Sequence, residues 1–360
     1  MAFQLDMLDS IEPFGLDKER KESLYTDALG DLTRMHYDNC PSYQRILDVL
    51  GHDPDSRLLS HQMPMLPVRL FKEYDLMSVE RDQIVKTMTS SGTTGQAVSK
   101  IYLDRENTKN QTRILTKIIN SLIGTKRLPM IILDTNMLKK DRAMFSARGA
   151  GIVGLSIFGR DPVYALNEDM DLDYELLEDY LANHAGERIL LFGFTFIIWQ
   201  HVVEAMKEKN LHLNIEDGVM IHMGGWKKLK DRAVDAPSFN KAVGGVLGNI
   251  RVYNYYGMIE QLGSVFLECE YGHMHASVYS EIFIRRYEDF SPAGNGEKGI
   301  VEVISLLPTS YPGHILLTED VGELLGEDDC PCGRLGKYFK IHGRIPGAEI
   351  RGCSDTYERR

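Results

Sequence analysis

The feature that most constrains the fold is an alternation of short apolar runs and helical segments between residues 101 and 257. The runs typical of strands are 101–104, 129–134, 151–159, 188–194, 218–225 and 251–257. Helical segments stand between several of these runs, and the segment 105–124 places Ile114, Ile118 and Leu122 on one face. Because strands joined by helical crossovers pair in parallel, the pattern predicts an α/β fold with a mostly parallel sheet flanked by helices.

The pattern changes on either side of this region, and the changes predict four parts in the chain. The first part spaces its apolar side chains three and four positions apart, which predicts helices. After about residue 264, short β segments separated by Gly, Pro and Asn turns indicate a smaller β-rich subdomain. The predicted parts are a helical N-terminal cap at 1–62, an α/β core with a phosphate-binding loop at 63–263, a β-rich subdomain at 264–343, and a hinge with a short C-terminal tail at 344–360.

The composition is that of a globular protein rather than a nucleic-acid-binding or membrane-spanning one. Of 360 residues, 43% are hydrophobic and 26% are charged, and no apolar run approaches the length of about 18 residues that a bilayer requires. The net charge of −11 argues against an extended nucleic-acid surface, which needs a basic face. The N-terminal 15 residues lack the basic start and apolar block of a targeting segment, so we expect a cytoplasmic protein.

The segment at residues 89–95 reads Thr-Ser-Ser-Gly-Thr-Thr-Gly and is followed by Lys100. Glycine is costly in regular structure, and Ser and Thr compete for backbone hydrogen bonds, so this segment is predicted to be a loop. Glycines allow main-chain N–H groups to approach an anion closely, and the hydroxyls add donors around the same point. The residues of this predicted polyphosphate site are Ser90, Ser91, Gly92, Thr93, Thr94 and Gly95. A solvated turn is the alternative interpretation.

Two common nucleotide-binding patterns are excluded. Residues 149–154 satisfy the Gly-x-Gly-x-x-Gly pattern, but a dinucleotide site needs a strand before the glycines and a helix after them. Here the residues before the glycines are not strand-like. Residues 155–159, which follow the glycines, are strand-like rather than helical. A P-loop has four residues between its first glycine and a Gly-Lys pair that is followed by Ser or Thr, whereas the four residues after Gly92, Thr-Thr-Gly-Gln, are followed by Ala97.

Three further motifs follow the loop along the chain. They are YNYYGMIE at 253–260, LLTEDVGEL at 316–324 and KIHGRIPGAEIRG at 340–352. Together with the loop, these motifs resemble the signatures of the adenylate-forming superfamily, which includes acyl-CoA synthetases and the adenylation domains of peptide synthetases. The sequence departs from that pattern at Ile259, where the superfamily usually has Thr. The resemblance implies an ATP-binding enzyme with the large N-terminal domain of that fold.

The resemblance also implies roles for particular residues. It makes Glu260 the carboxylate that binds Mg²⁺, with Thr94 assisting, and Asp320 the acceptor of the ribose hydroxyls of ATP. Arg344 is then the arginine of the hinge, and Lys100 joins the loop in cradling the β- and γ-phosphates. The further residues implied in nucleotide binding are Gly224, Gly225, Tyr255, Tyr256 and Gly257. Core packing is an equally good interpretation of the two tyrosines.

Within the superfamily, the chain resembles the acyl-protein synthetase (LuxE) family, to which phenylacetate–CoA ligases are related. The segments that carry this resemblance are 66–76, 89–100, 191–199, 222–229 and 348–355. The resemblance implies ATP-dependent activation of a fatty acid as an acyl-adenylate, transfer to a cysteine of the synthetase, and delivery to an acyl reductase. It further implies ATP and Mg²⁺ as cofactors and an acyl transferase subunit as a second partner.

The chain departs from most of the superfamily near its C-terminal end. Most members continue beyond the hinge into a further domain with a lysine that reaches the adenylate, whereas here Arg344 is followed by residues 345–360. We therefore expect the usual C-terminal domain and its lysine to be lacking. Cys353 stands where the family carries an acyl-accepting cysteine, and the neighbouring Arg351 favours the reactive thiolate. An adventitious free cysteine is the alternative.

Five residues form a second group with metal-binding chemistry. Cys269, His273 and His275 make a Cys-x₃-His-x-His sequence, and Cys330 and Cys332 make a Cys-x-Cys sequence. Four ligands from these two stretches could hold a structural Zn²⁺, and the predicted set is Cys269, His275, Cys330 and Cys332. Because the spacing is not that of a standard zinc finger, ordinary packing is the alternative.

Two other functions stay open at this stage. A carboxylate–CoA ligase would pass the acyl group from the adenylate to free CoA, and a catalytically idle subunit would bind nucleotide and stabilise a reductase complex. The apolar run 191–203 supplies Phe192, Phe194 and Trp199 as candidates for lining an acyl site. A buried strand that leads into a helix is the commoner meaning of such a run.

Overall fold

The structure is a computed structural model that describes residues 3–90, 98–136 and 147–345. The chain divides into two compact units. Within the described residues, the first unit comprises 3–122 and 256–345, and the second unit comprises 123–255. The four-part division predicted from the sequence is a different one and stays a prediction.

The helices of the described residues are Lys18–Asn39, Pro41–Leu50, Leu70–Glu73, Arg105–Ile123, Ala147–Ser156, Tyr174–Asn183, the consecutive helical segments Thr195–Ile197, Ile198–Glu204 and Ala205–Glu208, and Ala236–Leu247. The strands are β1 (Leu66–Pro67), β2 (Lys86–Thr89), β3 (Lys100–Leu103), β4 (Leu128–Thr135), β5 (Gly159–Leu166), β6 (Ile189–Phe194), β7 (Ile215–Met223), β8 (Gly248–Tyr256), β9 (Phe266–Glu268), β10 (Met274–His275), β11 (Ser280–Arg285), β12 (Lys298–Ser305), β13 (Ile315–Glu327) and β14 (Lys337–Arg344). No helix in this part of the chain has both the length and the apolar character needed to cross a membrane.

The second unit is built on a parallel sheet with the strand order β8, β7, β6, β4, β5. Each neighbouring pair in this order is parallel. β6 lies in the middle of the order, and all of its residues are buried, which is typical of a strand that is covered on both faces. The mostly parallel sheet predicted from the alternation of strands and helices is therefore confirmed.

The prediction of a strand at 151–159 is wrong, because Ala147–Ser156 is a helix and β5 begins after it. Ile152 and Leu155 are each 2% exposed, whereas Val153 is 48% exposed. This spacing of buried side chains is helical, and a short apolar run cannot by itself distinguish a buried helix from a strand. The Gly-x-Gly-x-x-Gly residues lie inside this helix, so they do not form the loop that a dinucleotide site requires.

The first unit contains an antiparallel sheet with the strand order β11, β12, β13, β14, β10, β9, and β1 pairs in parallel with β13. These strands confirm the β-rich character predicted for the second half of the chain. The long helix Lys18–Asn39 belongs to the same unit. Asp17 caps it by accepting a hydrogen bond from the Arg20 N–H at 3.0 Å, and the buried Tyr25 hydroxyl donates to Val278 O at 3.3 Å.

A two-stranded hairpin in the first unit pairs β2 with β3. The pairing is antiparallel, with Lys86 opposite Leu103 and Thr89 opposite Lys100. β3 confirms the strand predicted at 101–104. The described residues on either side of the predicted phosphate loop therefore belong to, or adjoin, two paired strands.

Candidate functional site

The base of the predicted phosphate loop is closed by two serines. The Ser90 N–H donates a hydrogen bond to Ser99 O at 3.0 Å, and the Ser99 N–H donates to Ser90 Oγ at 2.9 Å. The Ser90 hydroxyl is thus engaged in closing the hairpin. Five other predicted loop residues lie outside the described residues: Ser91, Gly92, Thr93, Thr94 and Gly95.

Lys100 begins β3 and pairs with an acid at the base of the loop. Its Nζ atom lies 3.7 Å from Asp75 Oδ1, and the Tyr102 hydroxyl donates to the same Asp75 oxygen at 2.6 Å. The Tyr102 hydrogen bond, followed by the charges of Lys100 and Arg81, lowers the pKa of Asp75 against the opposing effect of desolvation. Asp75 is therefore an ionised partner of the half-exposed Lys100 side chain.

Glu260 lies in the helical turn Ile259–Gln261 of the first unit and is 3% exposed. The Tyr311 hydroxyl donates to Glu260 O at 2.9 Å, and the Gln261 side chain donates to Gly313 O at 2.8 Å. These contacts hold the backbone of the turn. Mg²⁺ takes hard oxygen donors such as carboxylates, so the chemistry of the Glu260 side chain is compatible with a Mg²⁺ ligand, and that role stays a prediction.

Asp320 and Arg344 lie opposite each other on β13 and β14. The guanidinium Nε is 3.4 Å from Asp320 Oδ1, and the guanidinium Nη2 donates to Glu319 Oε2 at 3.2 Å. The Tyr256 hydroxyl donates to Asp320 Oδ2 at 2.7 Å. Burial raises the pKa of Asp320, while the Tyr256 hydrogen bond and the Arg344 charge oppose that rise. Because a carboxylate offers about four acceptor sites, Asp320 keeps capacity for the ribose hydroxyls.

Tyr256 holds the Asp320 carboxylate through the hydrogen bond from its hydroxyl. Its ring packs against Phe266 and Phe339, with centroid distances of 5.9 and 6.4 Å. Burial and then the Asp320 charge raise the pKa of the Tyr256 hydroxyl, so it stays a protonated donor. Sequence reasoning missed this hydrogen bond because its partners are 64 residues apart and no local pattern reports the contact.

The second unit places Thr195 beside the Gly224–Gly225 turn. The Thr195 hydroxyl donates to Gly224 O at 2.7 Å and lies 2.9 Å from His222 Nδ1. Because the hydroxyl has a single proton, this arrangement assigns the Nδ1 proton to His222. Burial lowers the pKa of His222 to about 3, so its ring is neutral. Sequence reasoning missed Thr195 as well, because its hydrogen-bond partners, His222 and Gly224, lie at the end of a different strand.

The two glycines of this turn differ in their backbone. Gly224 has a φ of +81°, a conformation that favours glycine. A Cβ built on Gly225 would meet no atom of the described residues within 4 Å. The backbone of Gly225 is therefore open to the close approach of a ligand.

Three of the predicted aromatic residues are buried in the second unit. Phe192 and Phe194 on β6 are 0% and 1% exposed, with ring centroids 5.7 Å apart. Tyr255 is 7% exposed, and its hydroxyl lies 2.6 Å from Met223 Sδ. The half-buried Trp199 belongs to an aromatic cluster. These contacts agree with core packing, and roles in binding adenine or an acyl chain stay predictions.

The first unit brings together the predicted metal ligands. Cys269 follows β9, His275 lies on β10, and Cys330 and Cys332 lie in the turn between β13 and β14. The four ligand atoms all lie within 4.8 Å of one another. Of the other predicted residues, Gly257 follows β8, and Cys353 lies outside the described residues.

Solved structures establish the class of fold. A crystal structure of 2-hydroxyisobutyryl-CoA ligase in an open conformation matches with a TM-score of 0.68 and 15% identity, covering 93% of this chain and 77% of that one. A structure of the same ligase in a postadenylation state also gives 0.68, covering 93% and 69%. The chain therefore has the fold of the adenylate-forming enzymes, as the sequence predicts. At this identity the likeness shows the fold alone.

The family is shown by the sequence. The profile described as acyl-protein synthetase, LuxE, matches residues 3–360, so the chain belongs to that family and is a ligase. A long-chain-fatty-acid–luciferin-component ligase of Aliivibrio fischeri is 23% identical over 352 residues, covering 95% of this chain and 88% of the relative. A ligase of the same name from Vibrio harveyi is 21% identical, covering 89% and 83%. A phenylacetate-coenzyme A ligase of Thermus thermophilus is 23% identical, covering 89% and 69%.

Proposed function

We propose that this chain uses ATP to activate a fatty acid as an acyl-adenylate and then transfers the acyl group to its own Cys353. One arrangement carries the proposal: the Asp320 carboxylate, held by the Tyr256 hydroxyl and the Arg344 guanidinium. In a ligase of this family, a carboxylate held in this way is suited to accept the ribose hydroxyls of ATP. The names of the relatives from Aliivibrio fischeri and Vibrio harveyi support a long-chain fatty acid as the substrate.

In the first step, an oxygen of the fatty-acid carboxylate attacks the α-phosphorus of ATP. A P–O bond forms to the fatty acid, and the bond between the α- and β-phosphates breaks as pyrophosphate leaves. We assign the pyrophosphate to the predicted loop between β2 and β3 and to Lys100, which pairs with Asp75. Glu260 would hold Mg²⁺, which supplies positive charge to the phosphate oxygens when bound.

In the second step, the Cys353 thiolate attacks the acyl carbonyl carbon. A C–S bond forms, the C–O bond to AMP breaks, and AMP leaves with the electron pair, while the thiol proton is released to solvent. The resulting thioester keeps the acyl group reactive towards a second thiol. The partners that we propose are an acyl reductase, which takes the acyl group from Cys353, and an acyl transferase, which supplies the fatty acid.

Fatty-acid-dependent exchange of labelled pyrophosphate into ATP tests the first step. We expect exchange with saturated fatty acids and none without an acid, and a panel that includes aryl acids defines the substrate class. Asp320→Ala should reduce the exchange because the ribose loses its acceptor, whereas Asp169→Ala, on the surface of the second unit, should leave it unchanged. An absence of exchange with every acid would instead favour a catalytically idle nucleotide-binding subunit.

The acyl acceptor is tested by replacing the cysteine. We expect Cys353→Ser to keep pyrophosphate exchange and to lose the protein-bound label that hydroxylamine releases from wild type. The reason is that a serine hydroxyl stays protonated at neutral pH and is a much weaker nucleophile than a thiolate. Cys40→Ser is the matched control, since Cys40 is a buried thiol that is remote in sequence. Undiminished thioester labelling in Cys353→Ser would contradict the proposal.

A carboxylate–CoA ligase is the rival that the Thermus thermophilus relative supports by its name. The two functions differ in the product that accumulates. With ATP, fatty acid and CoA, a CoA ligase forms acyl-CoA in many turnovers without bound acyl. The proposed synthetase stops after about one acyl group per chain until an acyl acceptor is added.

A further inference from the structure

We propose that Cys269, His275, Cys330 and Cys332 bind a structural zinc ion that fastens the β9–β10 hairpin to the turn between β13 and β14. The proposal is independent of the proposed function, because none of these residues takes part in either chemical step. It rests on the convergence of three thiol ligands and one imidazole, on the burial of Cys269, His275 and Cys330, and on the two tight turns that hold the ligands. The sequence alone left ordinary packing as an alternative, and the convergence of the ligand atoms favours the zinc site.

The separations between the ligand atoms are those of a tetrahedral zinc site. With Zn–S near 2.3 Å and Zn–N near 2.0 Å, tetrahedral geometry gives S–S separations of about 3.8 Å and S–N separations of about 3.5 Å. The Cys269 and Cys330 sulfurs are 4.0 Å apart, and the Cys332 sulfur is 3.4 Å from His275 Nε2. All four ligand atoms lie within 4.8 Å of one another. Ordinary packing does not require four ligands to converge in this way.

Each pair of ligands is held by a tight turn. On the first turn, the Cys269 N–H donates to His273 O and the Gly272 N–H donates to Cys269 O, both at 2.9 Å. On the second turn, the Gly333 N–H donates to Cys330 O at 3.0 Å. Gly272 and Gly333 have φ values of +74° and +80°, which glycine adopts readily. The ligands therefore sit on two backbone turns whose shapes are fixed without the metal.

The surroundings of the ligands favour a closed structural site over a catalytic one. Cys269 is 2% exposed, Cys330 is 5% exposed and His275 is 0% exposed. Within the described residues, the His275 ring has the Cys332 sulfur as its polar neighbour at Nε2, and its Nδ1 atom has no hydrogen-bond partner. The Tyr338 ring stacks on His275 at a centroid distance of 5.6 Å. A complete set of three thiolates and one imidazole leaves no open coordination position for a substrate.

His273 lies close to the site, and its role is to orient a ligand. Its Nδ1 atom is 3.3 Å from the Cys330 sulfur, but it is not among the four atoms that converge within 4.8 Å. Its ring stacks on Tyr338 at 4.9 Å, which holds the imidazole beside the sulfur. We assign His273 as a donor to the Cys330 thiolate, a contact outside the coordination sphere of the kind that tunes metal affinity.

The site fixes one end of the hairpin whose strands carry the nucleotide residues. Cys330 and Cys332 lie in the turn that joins β13 to β14. Asp320 and Arg344 lie further along the same two strands and oppose each other there. From Asp320 to the end of β13 at Glu327 the strand extends about 23 Å, at about 3.3 Å per residue. The zinc therefore supports the strands that carry the nucleotide site and stays remote from the reacting atoms.

The test is the metal content of the full-length chain, purified under reducing conditions without a polyhistidine tag. We expect about one zinc per chain. Replacing the zinc with cobalt should give the intense thiolate-to-cobalt absorption and the visible bands of a tetrahedral site. Cys330→Ser and His275→Ala should lose the metal, whereas Cys40→Ser should keep it because Cys40 is a buried cysteine outside the cluster. His273→Ala should keep the metal with roughly 10- to 100-fold weaker affinity.

Several results would overturn the proposal. The first is a wild-type chain that contains no zinc and, after reduction, takes up neither zinc nor cobalt, and this result does not depend on whether any variant folds. The second is a disulfide between Cys269 and Cys330 in the freshly purified protein, detected by mass spectrometry. Loss of metal from His273→Ala with full retention in His275→Ala would overturn the assignment of the ligand set.

Discussion

At the scale of the single residue, the Tyr256 hydroxyl is the contact whose removal tests the nucleotide site most directly. It donates to Asp320 at 2.7 Å, and a hydrogen bond to a charged group contributes about 1.5–3 kcal/mol. We expect Tyr256→Phe to weaken ATP binding roughly 10- to 100-fold while the KM for the fatty acid stays unchanged. Because the same hydrogen bond lowers the pKa of Asp320, the acid limb of ATP affinity should also move to higher pH. ATP titrations between about pH 5 and 8 measure both effects.

Tyr279→Phe is the matched control for that change. Tyr279 is 0% exposed and lies in the same unit, where its hydroxyl donates to Leu8 O at 3.4 Å. Loss of the Tyr279 hydroxyl should lower the free energy of unfolding without affecting ATP binding. Equal weakening of ATP binding in the two variants would indicate a general structural effect and would contradict a positioning role for Tyr256.

At the scale of the element, the sequence predicted strands where apolar residues run uninterrupted between turns. β5 was missed because its first half, Gly-Arg-Asp-Pro, contains a glycine, two charged residues and Pro162. β5 lies at the end of the strand order and pairs with β4, and a strand at the edge of a sheet tolerates a proline. Whether a strand lies at an edge is a property of the assembled sheet, so the local sequence does not report it.

The candidate sites also differ in how much of their arrangement the local sequence reports. The convergence of the Cys and His residues was proposed from the sequence because both residue types are zinc ligands, although their spacing is not that of a standard zinc finger. The pairing of Asp320 with Arg344 was not predicted. The register of β13 and β14 is irregular between Val321 and Gly322 and again further along the two strands. A shift of one residue would turn Asp320 to the other face of the sheet, and only the assembled hairpin fixes that register.

The turn after β7 gives a prediction at this scale. Gly224 has a φ of +81°, whereas Gly225 has open space above its backbone. We expect Gly224→Ala to destabilise the second unit by about 1–2 kcal/mol because the left-handed backbone disfavours a Cβ. Gly225→Ala should leave stability unchanged and weaken ATP binding, because its methyl group fills the space that a ligand would approach. Chemical unfolding and ATP titration measure the two effects separately.

Gly186→Ala is the control for backbone strain. Gly186 has a φ of +76°, a built Cβ meets no atom of the described residues within 4 Å, and the residue follows the helix Tyr174–Asn183 in the same unit. It should cost about as much stability as Gly224→Ala while ATP binding is unaffected. If Gly225→Ala bound ATP as tightly as wild type, the predicted role of this turn in nucleotide binding would be wrong.

At the scale of the whole molecule, each unit buries a neutral histidine. His36 in the first unit stacks on His314 at 4.8 Å and contacts Ser78, and His222 lies beside Thr195 in the second unit. Burial lowers the pKa of both His36 and His222 to about 3. Because an unfolded histidine has a pKa near 6.5, the unfolded chain binds more protons between about pH 3 and 6.5. The stability contributed by each neutral histidine is therefore complete above about pH 6.5 and is lost as the pH falls through this range.

Tryptophan fluorescence reports on the unit that contains His222, because both tryptophans of the chain, Trp199 and Trp226, lie in it. Urea unfolding followed by tryptophan fluorescence should show that His222 accounts for about 2 kcal/mol of the stability lost between pH 7 and pH 5. His222→Asn should be less stable at pH 7 but should lose correspondingly less on acidification, because asparagine does not titrate. His212→Asn, at an exposed position of the same unit, should retain the wild-type pH dependence. If His222→Asn and wild type lost equal stability between the two pH values, the burial of a neutral His222 would not be the cause.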